Sequence, residues 1–318
     1  MKRVIALVSV LGILIGLTLV LSGCKSEAKS YPSKSISIVY HSSAGSGGDI
    51  FLRNLGKALE KQLKQPIVIE NRPGGGGATA WGYVAKAKPD GYTLLGISST
   101  IITGPLQTPM DVNYKSFKPI AQVFYDPTVI FTSSKSEFRS FKEIIEYAKA
   151  HPKEMKWGAG SPGSAESLTL KYIMNQVGAE IQVVPFEGGG DVAVEVMAGR
   201  LAAGIGEYAE IAHLVRSGDL KILVGLGSER IPGLPDVPTL KEEGVDFVFE
   251  KVRGLMAPKD TPDYVVQKLV DAIKKVYDDA EFKKYYTESN IIPLFRGPEE
   301  LSKVLDQQNE FFKSMIGK

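Results

Sequence analysis

Short apolar segments typical of β-strands alternate, from Ser35 onward, with longer segments whose apolar residues recur at helical spacing. A strand pattern over 35–40, for example, is followed by a helix predicted to begin near Asp49. Further along, Ser140 with Glu143 three residues later predicts a capped helix start. The alternation predicts an α/β fold in which mostly parallel sheets are covered by helices. Other strands are predicted at 65–71, 92–99, 119–133 (one or two strands), 155–160, 180–186, 201–206, 220–227 and 247–258, and helices at 78–87, 140–152, 164–178, 191–200, 262–279, 281–289 and 298–318, with a further helical segment around His213.

The length of 318 residues argues for two domains, because this many strand and helix segments exceed one ordinary open sheet. Hydrophobic residues make up 43% of the chain and charged residues 23%, which is the composition of a soluble globular protein. The formal net charge of +2 is too close to zero to indicate a nucleic-acid or polyanion binder.

The first residues of the chain predict export rather than a folded element. Two basic residues precede an apolar run over 4–21, and the only cysteine, Cys24, follows the small residues after that run. We therefore predict a lipoprotein signal peptide over 1–23, lipidation of Cys24 and a polar tether over 24–33. The alternative is an uncleaved membrane anchor, since the apolar run is somewhat long for a signal peptide.

Four glycine-rich loops share one plan, in which each follows a predicted strand and opens a predicted helix. Free N–H groups and the helix dipole favour an anion at such a helix start, and glycine lets the backbone approach it closely. Serine hydroxyls in two of the loops add hydrogen-bond donors. Loops at the carboxyl ends of parallel strands would face one ligand, whereas loop 72–78 is expected to be a plain turn. The four loops are 42–49, 72–78, 158–167 and 186–191.

The familiar signatures of nucleotide binding and catalysis do not occur in the sequence. There is no P-loop motif, and loop 42–49 lacks the glycine spacing of a dinucleotide fingerprint. Ser161 stands in the nearest approach to a hydrolase nucleophile elbow, but Pro162 follows it and lacks the N–H that an oxyanion hole needs. The three histidines have no metal-binding spacing. The sequence therefore favours a binding protein over an enzyme, and we expect no cofactor and no metal.

Several motifs together resemble one known family. "ENRPG" (70–74), "PDGYTLL" (89–95) and "LPDVPT" (234–239) occur in the order found in the solute receptors of tripartite tricarboxylate transporters, the TctC-like or Bug family. The similarity runs from about Tyr31 to the C-terminus. It implies a two-lobed, type II periplasmic-binding-protein fold with two crossover strands. The implied boundaries are 34–130 plus 254–318 for lobe 1 and 131–253 for lobe 2, with crossovers in 126–134 and 249–258.

The resemblance also implies a site. Members of this family bind small organic carboxylates in the cleft between the lobes, and hold one carboxylate through backbone N–H groups, hydroxyls and ordered waters, with little use of Arg or Lys. Loops 42–49 and 160–167 would form this clamp, and the strand end 97–100, loop 186–191 and the pair at 207–208 would complete the cleft. The implied ligand-binding residues are Ser42, Ser43, Ala44, Gly45, Ser46, Gly47, Gly48, Asp49, Ser99, Thr100, Gly160, Ser161, Gly163, Ser164, Ala165, Glu166, Glu187, Gly188, Glu207 and Tyr208.

The sequence departs from the family pattern where a ligand would be recognised. In the family the first loop usually begins with three prolines and one aromatic residue, and residues 41–44 of this chain have none of these prolines. Glu166 is unusual in the second loop, and Glu187 stands where lysine is common. With Asp191 and Glu207, these acids make the predicted lobe 2 side acidic. One interpretation is that Asp191 caps a helix and the glutamates face solvent. The other is a ligand that is not a bare polyanion, such as an amino acid or a hydroxylated monoacid.

These inferences predict an extracytoplasmic receptor, periplasmic or on the outer face of the cell membrane, that binds a small organic carboxylate. The resemblance implies delivery of that ligand to a tripartite tricarboxylate-type membrane permease. We expect a monomer with no nucleic-acid partner. Two alternatives stay open at this point: a sensory receptor of the same fold that acts on a signalling partner, and a lipid-anchored serine hydrolase that uses Ser161.

Overall fold

The computed structural model of the protein describes residues 31–316. Over this range the chain forms an α/β fold of two mixed β-sheets covered by helices. The strands are β1 (Ile36–Tyr40), β2 (Ile67–Asn71), β3 (Thr93–Ser98), β4 (Phe117–Asp126), β5 (Thr128–Ser133), β6 (Lys156–Ala159), β7 (Gln182–Pro185), β8 (Ala203–Glu207), β9 (Leu220–Gly225), β10 (Lys251–Pro258) and β11 (Ile292–Arg296). The helices are α1 (Gly47–Leu63), α2 (Ala78–Ala85), α3 (Thr100–Gln107), α4 (Phe141–Ala150), α5 (Ala165–Val177), α6 (Gly189–Met197), α7 (Tyr208–Arg216), α8 (Asp263–Val276), α9 (Ala280–Glu288) and α10 (Pro298–Ile316).

The two sheets combine parallel and antiparallel strands. The first has the order β11-β4-β10-β3-β1-β2 and the second the order β7-β6-β8-β5-β9. Strand β1 pairs in parallel with β2 and β3, and β6 pairs in parallel with β7 and β8. Strands β5 and β10 pair antiparallel with both of their neighbours, and β11 pairs antiparallel with β4. The predicted parallel arrangement therefore holds for the strands around β1 and β6, and the antiparallel strands make both sheets mixed.

The antiparallel strands arise where the chain passes from one sheet to the other. Strand β4 ends in the first sheet, and after Pro127 the chain enters the second sheet through β5. Thr128, the first residue of β5, lies opposite Glu207, the last residue of β8. The chain thus enters this sheet at the carboxyl ends of its parallel strands and must run against them. Strand β10 re-enters the first sheet in the same way, with Arg253 opposite Ser98 at the end of β3.

The changes of sheet lie close to the predicted crossovers. Strand β5 begins at Thr128, and β10 begins at Lys251, after an irregular segment that follows β9. The predicted strand over 247–258 is therefore shorter than expected. The lobe boundaries themselves, after residues 130 and 253, stay predictions.

Local sequence signals explain most of the helices. In α1 the apolar face is buried against the first sheet, with Phe51, Leu52 and Leu55 all 1% exposed or less. The Ser140 hydroxyl accepts the N–H of Glu143 at 3.2 Å, which confirms the predicted cap of α4. The Ser164 hydroxyl caps α5 through the N–H of Ser167 at 3.1 Å. Helix α3 and strand β11 were not predicted.

The apolar core lies between each sheet and its helices. Phe124, Leu255 and Leu269 belong to the cluster under α1 and α8, while Phe131 and Ile211 belong to the cluster between the second sheet and helices α6 and α7. Within the described range, no helix has both the length and the apolarity that crossing a membrane requires. The predicted signal peptide 1–23 and Cys24, with most of the predicted tether, lie outside the described residues.

Candidate functional site

A cavity of 130 Å³ lies between the two sheets, where the glycine-rich loops meet. Its walls come from the carboxyl ends of β1, β2 and β3 on one side and of β6, β7 and β8 on the other. The first residues of strand β10 lie between them. This is the edge at which open α/β sheets bind ligands. A cavity of roughly 150 Å³ holds one benzene-sized molecule, so this volume is suited to a small solute.

All four glycine-rich loops contribute to the cavity wall. This includes residues 74–77 of the loop that was expected to be a plain turn, so that expectation was wrong. Four successive glycines with positive φ keep this loop free of side chains. Of the implied ligand-binding residues, those that line the cavity are Ser42, Ser46, Gly48, Thr100, Gly160, Ser161, Ser164, Glu166, Glu187, Gly188 and Glu207.

Three other residues of the first loop have contacts that stabilise the loop's own conformation. The carboxylate of Asp49 turns back and accepts the N–H of Gly45 at 2.9 Å and the Nε–H of Arg53 at 2.9 Å. Gly45 has a φ of 85°, which glycine adopts without strain. The N–H of Gly47 is taken by Glu210. These three loop residues are therefore not part of the cavity wall, although they shape it.

The other implied residues that do not line the cavity have structural partners or lie apart from it. The Ser99 hydroxyl accepts the N–H of Val252 at 3.0 Å, and the carbonyl of Gly163 accepts the hydroxyl of Thr103 at 2.9 Å. Tyr208 is only 2% exposed and begins α7 in the core. The remaining ones are Ser43, whose carbonyl accepts the N–H of Ser46, Ala44, which is exposed, and Ala165, which is buried.

Two buried cations line the cavity and were missed from the sequence. Lys251 and Arg253 stand two residues apart on β10, so their side chains leave the same face of the strand. Their exposed fractions are 6% and 1%. The sequence had placed no Arg or Lys among the implied ligand-binding residues, and little use of these residues in holding a carboxylate stays a prediction. Neither residue lies in a motif that the sequence marked as functional.

Arg253 is held by three neighbours. Its Nη2 lies 2.9 Å from Asp126 Oδ2 and its Nη1 lies 2.9 Å from the hydroxyl of Tyr40. The same Nη2 also lies 3.2 Å from Glu207 Oε1. Burial opposes the charge, but Tyr40 and Asp126 raise the pKa of Arg253 above its ordinary value. Arg253 is therefore a fixed cation that ties β4, β1 and β8 together across the cavity.

Lys251 forms ion pairs with Glu166 and Glu207, which belong to the second sheet and its helix α5. All three side chains are less than a tenth exposed. Burial alone would raise the pKa of Glu166, but Lys251 holds it below its ordinary value. The interpretation that these acids face solvent is wrong for Glu166 and Glu207, because each has a buried cation as its partner. Glu187 and Asp191 are exposed.

Two further titratable groups line the cavity. Burial raises the pKa of Glu210 to about 7. Burial, assisted by Lys251 and Arg253, lowers the pKa of His41 to about 3, so this imidazole is neutral at pH 7. The His41 ring lies 4.5 Å from the ring of Tyr40 and 5.7 Å from that of Trp81, between centroids. It thus supplies an aromatic surface at the start of the first loop.

Hydroxyl groups provide uncommitted donors. The Ser46 hydroxyl oxygen is buried at the cavity wall and has no hydrogen-bond partner among residues 31–316. The hydroxyl-bearing residues Ser98, Thr100 and Ser161 line the same cavity. Over the same residues, no group of three or more His, Cys, Asp or Glu side chains is arranged to hold a metal ion. The arrangement suits a small polar ligand held by neutral donors.

Comparison with known sequences gives a family. A family model described as "Tripartite tricarboxylate transporter family receptor" (TctC) matches residues 51–318. The protein BugT of Bordetella pertussis (strain Tohama I) is 29% identical over 279 residues, covering 86% of this chain and 86% of BugT. The UPF0065 protein in the gbd 5' region of Cupriavidus necator is 28% identical over 299 residues, covering 92% of this chain and 90% of that protein.

Comparison with solved structures confirms the two-lobed fold. The periplasmic binding protein BugD is 26% identical with a TM-score of 0.84, over 90% of this chain and 98% of BugD. MatC from Rhodopseudomonas palustris, solved with bound malate, is 24% identical with a TM-score of 0.83, over 90% of this chain and 100% of MatC. An R. palustris protein solved with adipate is 23% identical with a TM-score of 0.85, over 90% and 97% of the two chains.

Proposed function

The chain belongs to the tripartite tricarboxylate transporter receptor family and is a solute-binding protein rather than an enzyme, and we propose that it binds a small organic carboxylate between its lobes and delivers it to a membrane permease. One observation is central to this proposal: the four glycine-rich loops, which come from both sheets, meet around one small polar cavity. Malate and adipate, the ligands of two proteins of the same fold, belong to this chemical class.

The donors around the cavity support binding of a carboxylate by neutral groups. The Ser46 hydroxyl is buried without a partner among the described residues, and a buried donor in that state costs free energy until an acceptor arrives. Ser161 and Thr100 add hydroxyls from the opposite loop and from the start of α3. A ligand carboxylate that accepts from groups of both lobes would favour the closed arrangement of the lobes.

The charges around the cavity support a ligand that is not a bare polyanion. Four acidic side chains and two cations line it, and both cations already have carboxylate partners. An amino acid or a hydroxylated monoacid brings less negative charge into this environment than a tricarboxylate does. This is the ligand class that we propose.

Transport would require the two lobes to move. The connections between the sheets are Pro127 and the segment between β9 and β10, and they form the hinge in our proposal. Contacts that hold the lobes together cross the cavity, from Gly47 to Glu210, from Thr103 to Gly163 and from Lys251 to Glu166. The closed form would then dock on the permease, which couples release to an ion gradient.

The location of the protein follows partly from its family and partly from its N-terminus. The family is periplasmic and solute-binding, which gives an extracytoplasmic location. The apolar run and Cys24 support a lipid anchor that holds the receptor at the membrane. We propose that the receptor acts as a monomer.

The test is calorimetric titration of the full-length protein, purified in detergent, with malate, adipate, citrate, amino acids and hydroxy acids. We expect saturable binding of at least one small carboxylate, and no heat of binding with any of them would contradict the proposal. Ser46→Ala should weaken binding of that ligand by about tenfold, because it removes an uncommitted donor. Ser43→Ala is the matched control, since Ser43 lies in the same loop but not on the cavity wall.

A further inference from the structure

The side chain of Glu210 lies between a loop of the first sheet and a loop of the second. It projects from α7, and its Oε1 accepts the N–H of Gly47, at the start of α1, at 2.6 Å. Its Oε2 lies against Gly189, where a Cβ atom would come within 2.0 Å of that oxygen. A glycine at position 189 therefore makes room for the Glu210 carboxylate. The Glu210 carboxylate thus accepts a backbone N–H at a helix start, the kind of donor that could otherwise bind a carboxylate of the ligand.

The neighbouring donors of the first loop are occupied as well. The N–H of Gly45 goes to Asp49 Oδ2 at 2.9 Å, and the N–H of Ser46 goes to the carbonyl of Ser43 at 3.3 Å. Three consecutive amides at the start of α1 thus have acceptors within the chain. A carboxylate of the ligand that accepted the N–H of Gly47 would have to displace Glu210, and at this end of the cavity it would meet the negative charge of that side chain.

The cations of the cavity do not offset this repulsion. Lys251 is paired with Glu166 and Glu207, and Arg253 is paired with Asp126. A second ligand carboxylate would have to break one of these buried pairs, which leaves an acid of the protein without its partner. The end of the cavity beside Glu210 is therefore suited to a neutral or cationic group of the ligand.

We propose that Glu210 determines specificity: it excludes a second carboxylate from the cavity, so the protein binds monocarboxylates, including hydroxy and monocarboxylic amino acids, and discriminates against dicarboxylates. This inference rests on the proposed function, because it assumes that the cavity binds a carboxylate at all. The chemistry is that of like-charge exclusion, a common source of specificity.

Matched ligands test the proposal without any change to the protein. The full-length protein is titrated by calorimetry at about pH 8 with pairs of equal chain length that differ only in the second carboxylate. The pairs are succinate and 4-hydroxybutyrate, adipate and 6-hydroxyhexanoate, aspartate and asparagine, and glutamate and glutamine. For the pair that binds, we expect the member with one carboxylate to bind at least about tenfold more tightly.

Glu210→Gln then assigns the discrimination to this residue. The amide keeps an acceptor for Gly47 but removes the negative charge, so the preference should fall by about tenfold. Glu154→Gln is the matched control, because it removes the same charge from an exposed position away from the cavity wall and should leave the preference unchanged.

Each outcome decides the matter. If the wild-type protein binds the dicarboxylate of a pair as tightly as the monocarboxylate of that pair, the inference is overturned and the proposed function stays intact. A preference for monocarboxylates that Glu210→Gln leaves unchanged overturns the role of Glu210. No binding of any member of the panel contradicts the proposed function and the inference with it.

Discussion

Replacing Lys251 by methionine tests the charge network that joins the two sheets. The Lys251 ammonium lies between Glu166 and Glu207, and the three side chains are 7%, 8% and 5% exposed. Methionine has nearly the length of lysine, so Lys251→Met removes the charge with little loss of volume. The variant leaves Glu166 buried without its cation, whereas Glu207 keeps Arg253 Nη2 at 3.2 Å.

The expected cost follows from this asymmetry. Removing one partner of a buried ion pair typically costs about 3–5 kcal/mol of unfolding free energy. Because only Glu166 loses its cation completely, we expect a cost at the lower end of this range, about 3 kcal/mol at pH 7. Lys251→Met combined with Glu166→Gln should recover at least about 1 kcal/mol of this, because it removes the uncompensated charge. Urea unfolding of the full-length protein, followed by circular dichroism, measures these free energies.

The pH dependence provides a second criterion. Lys251 holds the pKa of Glu166 below its ordinary value, against the effect of burial. A carboxyl group with a lowered folded-state pKa adds stability above its unfolded pKa, and this stability is lost as the pH falls through the folded value. In Lys251→Met the cation is gone and burial raises the pKa of Glu166 above its ordinary value. Glu166 of the variant therefore takes up a proton as the pH falls from 7 to 4, and the cost of the substitution should shrink over that range. A cost below about 0.5 kcal/mol at pH 7 would refute the argument. Lys171→Met, on the exposed face of the same helix as Glu166, is the control.

Four more predictions test other parts of the structure. Asp49→Asn should lower stability by about 1–2 kcal/mol in urea unfolding while ligand affinity changes little, and a larger loss of affinity would place Asp49 in contact with ligand. Burial raises the pKa of Glu210 from 4.5 to about 7, so its ionisation destabilises the folded protein as pH rises through that window; Glu210→Gln should add about 3 kcal/mol at pH 8 and nothing at pH 4 in the same assay. Gly189→Ala should cost about 1–3 kcal/mol and Gly190→Ala almost nothing, since a Cβ meets Glu210 only at the first position. Cys24→Ser should move the protein from the membrane to the soluble fraction with its affinity intact, and membrane retention would indicate an uncleaved anchor.

The elements of the fold were predictable where their signals are local. Strand and helix alternate along the chain, and the cap at Ser140 is found where the sequence indicates it. Helix α3 was missed because Gly104 and Pro105 interrupt its pattern, although a proline near the end of so short a helix disturbs few hydrogen bonds. Strand β11 was missed because it pairs only at the edge of the sheet and begins beside a proline.

The direction of the strands could not be predicted in the same way. The pattern of a buried strand is the same in a parallel and an antiparallel pair, and only the path between the sheets decides which one forms. That path depends on Pro127 and on the irregular segment before Lys251. Both lie in stretches whose apolar character is continuous with the neighbouring strand.

The structure brings the four predicted loops to one cavity, whereas the buried cations that pair with their acidic residues were not predicted. Glu166 stands out in the sequence as an unusual acid, but its partner Lys251 is 85 positions away in a strand with no motif. A buried carboxylate requires a cation or a proton, so an acid in a predicted core loop implies a partner somewhere in the chain. The solvent-facing interpretation overlooked this requirement. Glu187 is exposed and needs no such partner. The need for a cation can therefore be predicted only for an acid that is known to be buried.

The first loop shows why a helix start rich in glycine is weak evidence for an anion site. The motif supplies donors, but the protein can provide the acceptors itself. Here Asp49 takes the N–H of Gly45 from within the loop, and Glu210 takes that of Gly47 from the opposite lobe. What remains for a ligand is the Ser46 hydroxyl and the cavity wall beyond it. The number of donors left after the chain's own acceptors are counted, rather than the number of glycines, sets how many carboxylates the cavity can accept.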